Sequence, residues 1–452
     1  MTNTTTTRTP IPAAPPPGSP AAKPGSRPGS APAAAPTSFI GALEIDVRFL
    51  GMLGALAVIW VVFDILAGGT FLTARNLWNL SVQSSSIAVM STGMVLVIVM
   101  RHIDLSVGSI LGVTGMIMAV FQVTTLMPTF GFNHPAVIIL TLAAGICAGA
   151  AIGALHGFVI AYLGVPAFIV TLGGLLVWRG AAWAVAEGKT IPLVDDNFKL
   201  LGGGANGSVG EMWSWVIAVI ACLAIAFAAV QARRQRQRFH FPQKPVWAEF
   251  VIVTAGCLAV IAATLVVNAY TLPPVLARRY AEAAGLTVPP EGIAISFGFA
   301  IPVLVALAVG IVMTFVTNRT RFGRYVFAIG GNPEAADLAG INTKRVTLAV
   351  FALMGGLAAI GAAISTARLN SATNAQGTLD ELYVIAAAVI GGTSLAGGSG
   401  TIAGAMLGAL VMQSLQSGMV LMRVDTPYQN IVVGIVLVFA VWIDTVYRKR
   451  IK

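Results

Sequence analysis

The sequence predicts an all-α polytopic membrane protein, on three observations. Hydrophobic residues make up 57% of the 452 positions and charged residues 10%, against roughly 45–50% and about 25% in soluble domains. The apolar residues gather into about twelve segments of the length a helix needs to cross a hydrocarbon core. Most of the lysines and arginines sit in alternate connections, the pattern left where one membrane face collects positive charge. A net charge of +10 distributed in this way points to the lipid bilayer and away from nucleic acid.

Residues 1–38 are rich in Pro, Ala, Thr and Ser, contain Arg8, Lys23 and Arg27 and no acid, and lack the apolar core of a signal peptide. They read as a disordered cytoplasmic tail, and residues 39–452 as one transmembrane domain. The apolar segments run over about 49–67, 84–100, 106–127, 136–163, 166–187, 212–230, 249–271, 293–317, 346–366, 383–396, 402–421 and 429–446. The alternative is ten crossings, because two close pairs, around "RHIDLSVGS" (101–109) and "GGTSLAGGSG" (391–400), have the Gly-rich breaks of interrupted or re-entrant helices.

An even count with both termini in the cytoplasm assigns to that face Arg48, Arg101, the cluster Arg233, Arg234, Arg236, Arg238 and Lys244, then Arg319, Arg321, Arg324, Lys344 and Arg345, and the final basic residues. The external loop 187–211 carries Glu187, Asp195, Asp196 and Glu211 instead. Cys147, Cys222 and Cys257 fall inside apolar segments without metal spacing and read as small core residues.

One cytoplasmic connection is unusual. In "GRYVFAIGGNPEAADLAGINTKR", Asn332 is a good N-cap, Pro333 suits the first helical position, Glu334 lies in the first turn and Gly340 is a stop signal. So short a helix is marginal alone. Either it rests on its own protein as a loop helix, or it is offered to a soluble partner. Ala335, Ala336 and Ala339 permit close approach, and Glu334 and Asp337 offer polar contacts.

The stretch "GGNPEAADLAGI" resembles the coupling segment of ABC importer permeases of the ribose/xylose/galactose family. "IDLSVGS" (103–109), "VPAFIVTLGGLLVWRG" (165–180) and "ELYVIAAAVIGGTSLAGGSGTIAGAMLGAL" (381–410) resemble the same family, and xylose-type members most. The resemblance covers about residue 80 to the C-terminus. It implies the type II importer permease fold, a coupling segment within 319–345, and monosaccharide passage across a bacterial inner membrane. It also implies separate cytoplasmic ATPase subunits, an extracytoplasmic sugar-binding protein, a second permease copy, and no cofactor in this chain. The coupling residues would be Gly331, Asn332, Glu334, Ala335, Ala336, Leu338, Gly340 and Ile341. Ribose-type relatives have fewer spans, so two extra ones are expected between residue 187 and Arg319.

The two Gly-rich breaks echo each other: Val97, Ile98, Gly108, Ile110 and Gly112 correspond to Val389, Ile390, Gly400, Ile402 and Gly404. The echo runs in one orientation, whereas the resemblance implies inverted repeats. The glycines of the breaks serve either tight packing or a gate. On the gate reading Asp104, Ser106, Gly108, Gly391, Gly392, Ser394 and Gly400 line the pathway. Arg101 and Asp104 are placed to neutralise each other; Arg179 and Arg368 are either snorkelling or pathway residues.

No enzyme site is legible. "GKT" at 188–190 lacks the upstream glycine of a phosphate loop, Trp183 standing there, and the four histidines have no metal or triad spacing. An ion-coupled secondary carrier is the competing reading and needs intramembrane acids; a membrane transferase would need a loop-borne carboxylate cluster beyond Asp195 and Asp196.

Overall fold

The computed structural model describes residues 47–451 apart from 284 and 286–292; the expected tail over 1–38 and the domain start at 39 lie outside the described residues. Among these, ten helices are long and apolar enough to cross a membrane. They are α1 (Val47–Leu66), α2 (Ala74–Val99), α3 (Val107–Phe121, extended through a π turn to Phe130), α4 (Pro135–Ala161), α5 (Ala167–Val185), α6 (Gly210–Arg238), α7 (Val246–Ala269) and α8 (Ile301–Arg319), then, beyond two short helices α9 (Arg321–Gly331) and α10 (Pro333–Leu338), α11 (Thr343–Leu369) and, after α12 (Asp380–Ile390), α13 (Ile402–Leu421). The two remaining apolar segments are α12 itself, eleven residues long, and α14 (Thr426–Ile451), whose apolar part is Thr426–Trp442.

The centre and the rim are set by side-chain size and polarity. The most apolar window of α2 is 94% buried, and those of α11, α3 and α13 are 72%, 67% and 61% buried; α1, α6 and α7 are each 11% buried. The central helices carry the small and hydroxyl residues, and the rim is apolar all round, as lipid requires. Within α2, the hydroxyls of Ser86 and Ser91 reach across to the carbonyls of Gly361 and Ala405 on α11 and α13.

Close approach is achieved with glycine stripes. On α4, Gly149, Gly153 and Gly157 recur every four residues, and a Cβ on any of them would strike the backbone of α11 at Gly355, Phe351 or Leu348. On α3, Gly108, Gly112 and Gly115 receive the segment 374–381, which dips into the bundle after α11. The described strands are Ile191–Pro192 and Ser371–Ala372, paired antiparallel where the loop after α5 meets the end of α11.

Several boundaries differ from the sequence reading. The second span begins at Ala74, capped by Thr73, ten residues before the apolar run at 84, because Asn76, Asn79 and Gln83 belong to the helix. The basic stretch after α8 forms a helix, α9, capped by Thr320; Gly323, Gly330 and Gly331 had obscured it. The helix expected over 333–340 spans Pro333–Leu338. The two spans that flank the basic loop are the hairpin α6–α7, closed by an ion pair of Arg233 with Glu249 at 2.7 Å.

Candidate functional site

A cavity of about 450 Å3 opens between α2, α11, α12 and α13. Its polar lining is built from helical faces: Asn76, Asn79, Gln83 and Ser86 follow one stripe of α2, Gln413, Gln416 and Ser417 one stripe of α13, Ser365 and Arg368 the end of α11, and Asp380 and Tyr383 the start of α12. Gln413 gives its amide N–H groups to the side-chain carbonyls of Gln83 (3.1 Å) and Gln416 (3.0 Å), which leaves the NH2 groups of those two free of this contact. Ser417 donates to Asn76 Oδ1 at 3.2 Å, and Asn76 donates to the Phe71 carbonyl. Side chains held this way are pre-oriented donors and acceptors, with Val82, Ile87 and Ile364 as apolar walls. The lining suits a neutral, hydroxyl-rich solute of monosaccharide size better than an ion or a lipid.

A second cavity, about 380 Å3, shares Asn79, Val82 and Arg368 with the first and is bordered by Asp196, Lys199 and the glycines 202–204. It lies between the first cavity and the loop after α5. Asn76 and Val99 lie at opposite ends of α2, roughly 35 Å apart at about 1.5 Å per residue, so the outer end of the cavity and the segment 330–341 lie toward opposite faces.

At the far end, α10 has complete caps. Asn332 Oδ1 accepts from Ala335 N at 3.0 Å, and Gly340, at φ 80°, closes a Schellman motif in which Gly340 N bonds Asp337 O and Ile341 N bonds Ala336 O. Ala336 is buried and seats the helix on the body, Ile341 is half-buried, and Gly331, Asn332, Glu334, Ala335 and Gly340 are exposed. Leu338 is 90% exposed at the tip, a large apolar side chain on a polar face, where burial by a partner would have most effect.

The two Gly-rich breaks meet at this same face: Gly398 N donates to the Val99 carbonyl at 3.0 Å. α2 and α12 both run toward this junction, so the echoed units share one orientation. Gly391 packs on the backbone of Gly404, Gly400 abuts Thr393, and Gly392 at φ 86° faces open space. The hydroxyls of Thr393 and Ser394 are buried and have no hydrogen-bond partner among the described residues.

Asp104 and Arg101 do not neutralise each other. Asp104, 1% exposed, accepts from Ser106 N (2.8 Å) and Ser106 Oγ (2.5 Å), while Arg101 turns to the carbonyls of Gly330 and Gly331. Ser106 Oγ lies 3.2 Å from Nδ1 of His156 on α4, and Trp178 on α5 donates to His156 Nε2 at 2.8 Å. Arg179 does not snorkel: it donates to the carbonyls of Gln376 (2.6 Å) and Asn374 (3.2 Å) in the dipping segment. Gly108 lies under the Glu381 carboxylate.

Of the gate residues read from sequence, Asp104, Ser106 and Gly108 belong to one buried cluster and Gly391, Gly392, Ser394 and Gly400 to the junction; none lines the cavity. Asn76, Asn79, Gln83, Gln413, Gln416 and Ser417 were missed. Gln413, Gln416 and Ser417 stand at helical spacing inside an apolar span, which is a signal; Asn76, Asn79 and Gln83 precede the apolar run at 84 and carry none.

The family model described as branched-chain amino acid transport system / permease component matches residues 76–441. The xylose transport system permease protein of Haemophilus influenzae is 36% identical over 407 residues, covering 90% of this chain and 98% of that protein. The ribose import permease protein of Escherichia coli is 31% identical over 374 residues, covering 83% of this chain and 87% of its own length, and the D-allose transport system permease protein of the same organism is 27% identical over 394 residues, covering 87% and 90%. No solved structure matches the chain. With a match that spans most of the bundle and relatives aligned nearly end to end, this chain belongs to the family of membrane permease components of transport systems.

Proposed function

We propose that the chain is the membrane-spanning permease subunit of an ATP-driven importer that carries xylose or a related monosaccharide across a bacterial inner membrane. The observation that carries this reading is the cavity lined by the amides of Asn76, Asn79, Gln83 and Gln416, open on the face opposite a capped, partner-ready helix. ATP is hydrolysed on separate cytoplasmic subunits that dock on α10, both termini lie in the cytoplasm, an extracytoplasmic binding protein delivers sugar to the cavity, and a second permease copy completes the assembly. The names of the relatives supply the substrate class; the amide-rich lining is consistent with it, because sugar hydroxyls need both donors and acceptors.

The test is uptake of labelled xylose, ribose and allose by cells that carry or lack the chain, with ATP present or depleted. ATP-dependent uptake of one of these pentoses or hexoses supports the reading. The buried acids Asp104 and Glu381 are the groups an ion-coupled carrier would use, so uptake that survives ATP depletion while an ion gradient persists would instead favour that class.

A further inference from the structure

Three backbones meet closely at the base of the bundle. The end of α2 contributes Val99, the end of α9 contributes Gly330 and Gly331, and the second Gly-rich break contributes Gly397 and Gly398. A Cβ on Gly330 would press on the Val99 carbonyl and Gly398 N, and one on Gly397 would meet Arg101 Cγ and the carbonyls of Gly330 and Val99. One side chain spans the junction. Arg101 donates from Nε to Gly330 O at 2.9 Å and from a terminal guanidinium nitrogen to Gly331 O at 2.7 Å. These are carbonyls of the last turn of α9, which lack helical partners and carry the negative end of the helix dipole. A planar guanidinium fork matches two adjacent acceptors in a way a lysine does not.

The backbone at Arg101 is one that would ordinarily take glycine. Arg101 N bonds Ile98 O and His102 N bonds Val97 O, a Schellman cap of α2 whose left-handed position, φ 64°, is filled by arginine. Glycine is the usual and less strained residue there. The cap alone gives no reason for an arginine.

We infer that Arg101 is a positioning residue that clamps the coupling segment to both Gly-rich breaks, so that α10, the α2–α3 break and the α12–α13 break move as one body during transport. Gly331 directly precedes the N-cap Asn332, so a displacement of α10 reaches the guanidinium through a single residue. From there it passes to the Val99–Gly398 contact. This inference rests on the reading that ATPase subunits dock on α10.

The decisive variant is Arg101→Gly, which relaxes the left-handed backbone while deleting the fork. The chain is assembled with its ATPase subunits in vesicles, with the binding protein and xylose, and three quantities are read: assembly by co-purification, ATP hydrolysis, and sugar moved per ATP hydrolysed. The expected result is a folded, assembled and hydrolysing complex in which sugar moved per ATP falls about tenfold or more, the loss of two charge-assisted bonds, with partial recovery in Arg101→Lys. A wild-type ratio in Arg101→Gly overturns the inference, and so does failure of that variant to fold, which would make the role structural. Ala335→Trp separates the two layers: if it leaves assembly and coupling intact, the docking reading itself is wrong, whereas if it uncouples and Arg101→Gly does not, only the clamp is wrong.

Discussion

Trp178 donates its indole N–H to Nε2 of His156 at 2.8 Å, and that bond decides the rest of a buried chain. An indole only donates, so Nε2 accepts and the neutral ring carries its proton on Nδ1. Nδ1 then donates to Ser106 Oγ, which donates to the Asp104 carboxylate. Four side chains from α4, α5 and the α2–α3 break are thereby fixed in one direction. Gly174 makes room for the ring, since a Cβ there would meet His156 at 2.6 Å.

Trp178→Phe is expected to keep most of the packing but leave Nε2 without its donor, at a cost of about 1–3 kcal/mol. Thermal unfolding in detergent should show a lowered midpoint. Ser106→Ala should cost more, because the carboxylate loses a donor in a water-poor site. An unchanged midpoint in both would mean the chain of bonds contributes nothing to holding the break.

Ala335→Trp and Leu338→Asp change the exposed face of α10 without touching Ala336, the residue on which the helix sits. Both variants should fold as well as the parent and lose co-purification with the ATPase subunits. Normal assembly with normal sugar-stimulated hydrolysis in both would remove α10 as the docking surface.

The caps of α10 were legible because Asn332, Pro333 and Gly340 act through neighbouring backbone, within one turn of sequence. The cavity was not legible because Asn76, Asn79 and Gln83 precede an apolar run and look like a connection; only the packing of α2 at the centre of the bundle makes them interior. Arg101 was read against the nearest acid, Asp104, three positions away. Its actual acceptors are more than two hundred residues distant and are backbone carbonyls, which no residue pattern marks.

Gln413→Leu removes the amide that orders Gln83 and Gln416 while roughly preserving volume. Transport should fall about three- to tenfold, the range of one or two misplaced neutral hydrogen bonds, with assembly unchanged. The measurement is initial uptake rate in vesicles. The same vesicles without the binding protein should show little hydrolysis in response to micromolar sugar, because discrimination between sugars needs several well-placed hydrogen bonds, which the binding protein is expected to supply; strong stimulation by free sugar would place specificity in this chain.

The second Gly-rich break separates packing from gating at two glycines one residue apart. A Cβ on Gly391 would collide with the backbone of Gly404 on α13, so Gly391→Ala should destabilise the fold by about 1–3 kcal/mol, the usual penalty of overpacking. Gly392 faces open space at φ 86°, so Gly392→Ala meets only the left-handed penalty of roughly 1–2 kcal/mol. If the break moves during transport, a larger side chain at Gly392 fills the space into which its neighbours must pass. Gly392→Leu should then give a monodisperse protein that still binds its ATPase subunits and still hydrolyses ATP but moves little sugar. Melting temperature and size-exclusion profile establish the first part and uptake the second. Wild-type uptake by that variant would confine the glycines of this break to the packing of α12 on α13.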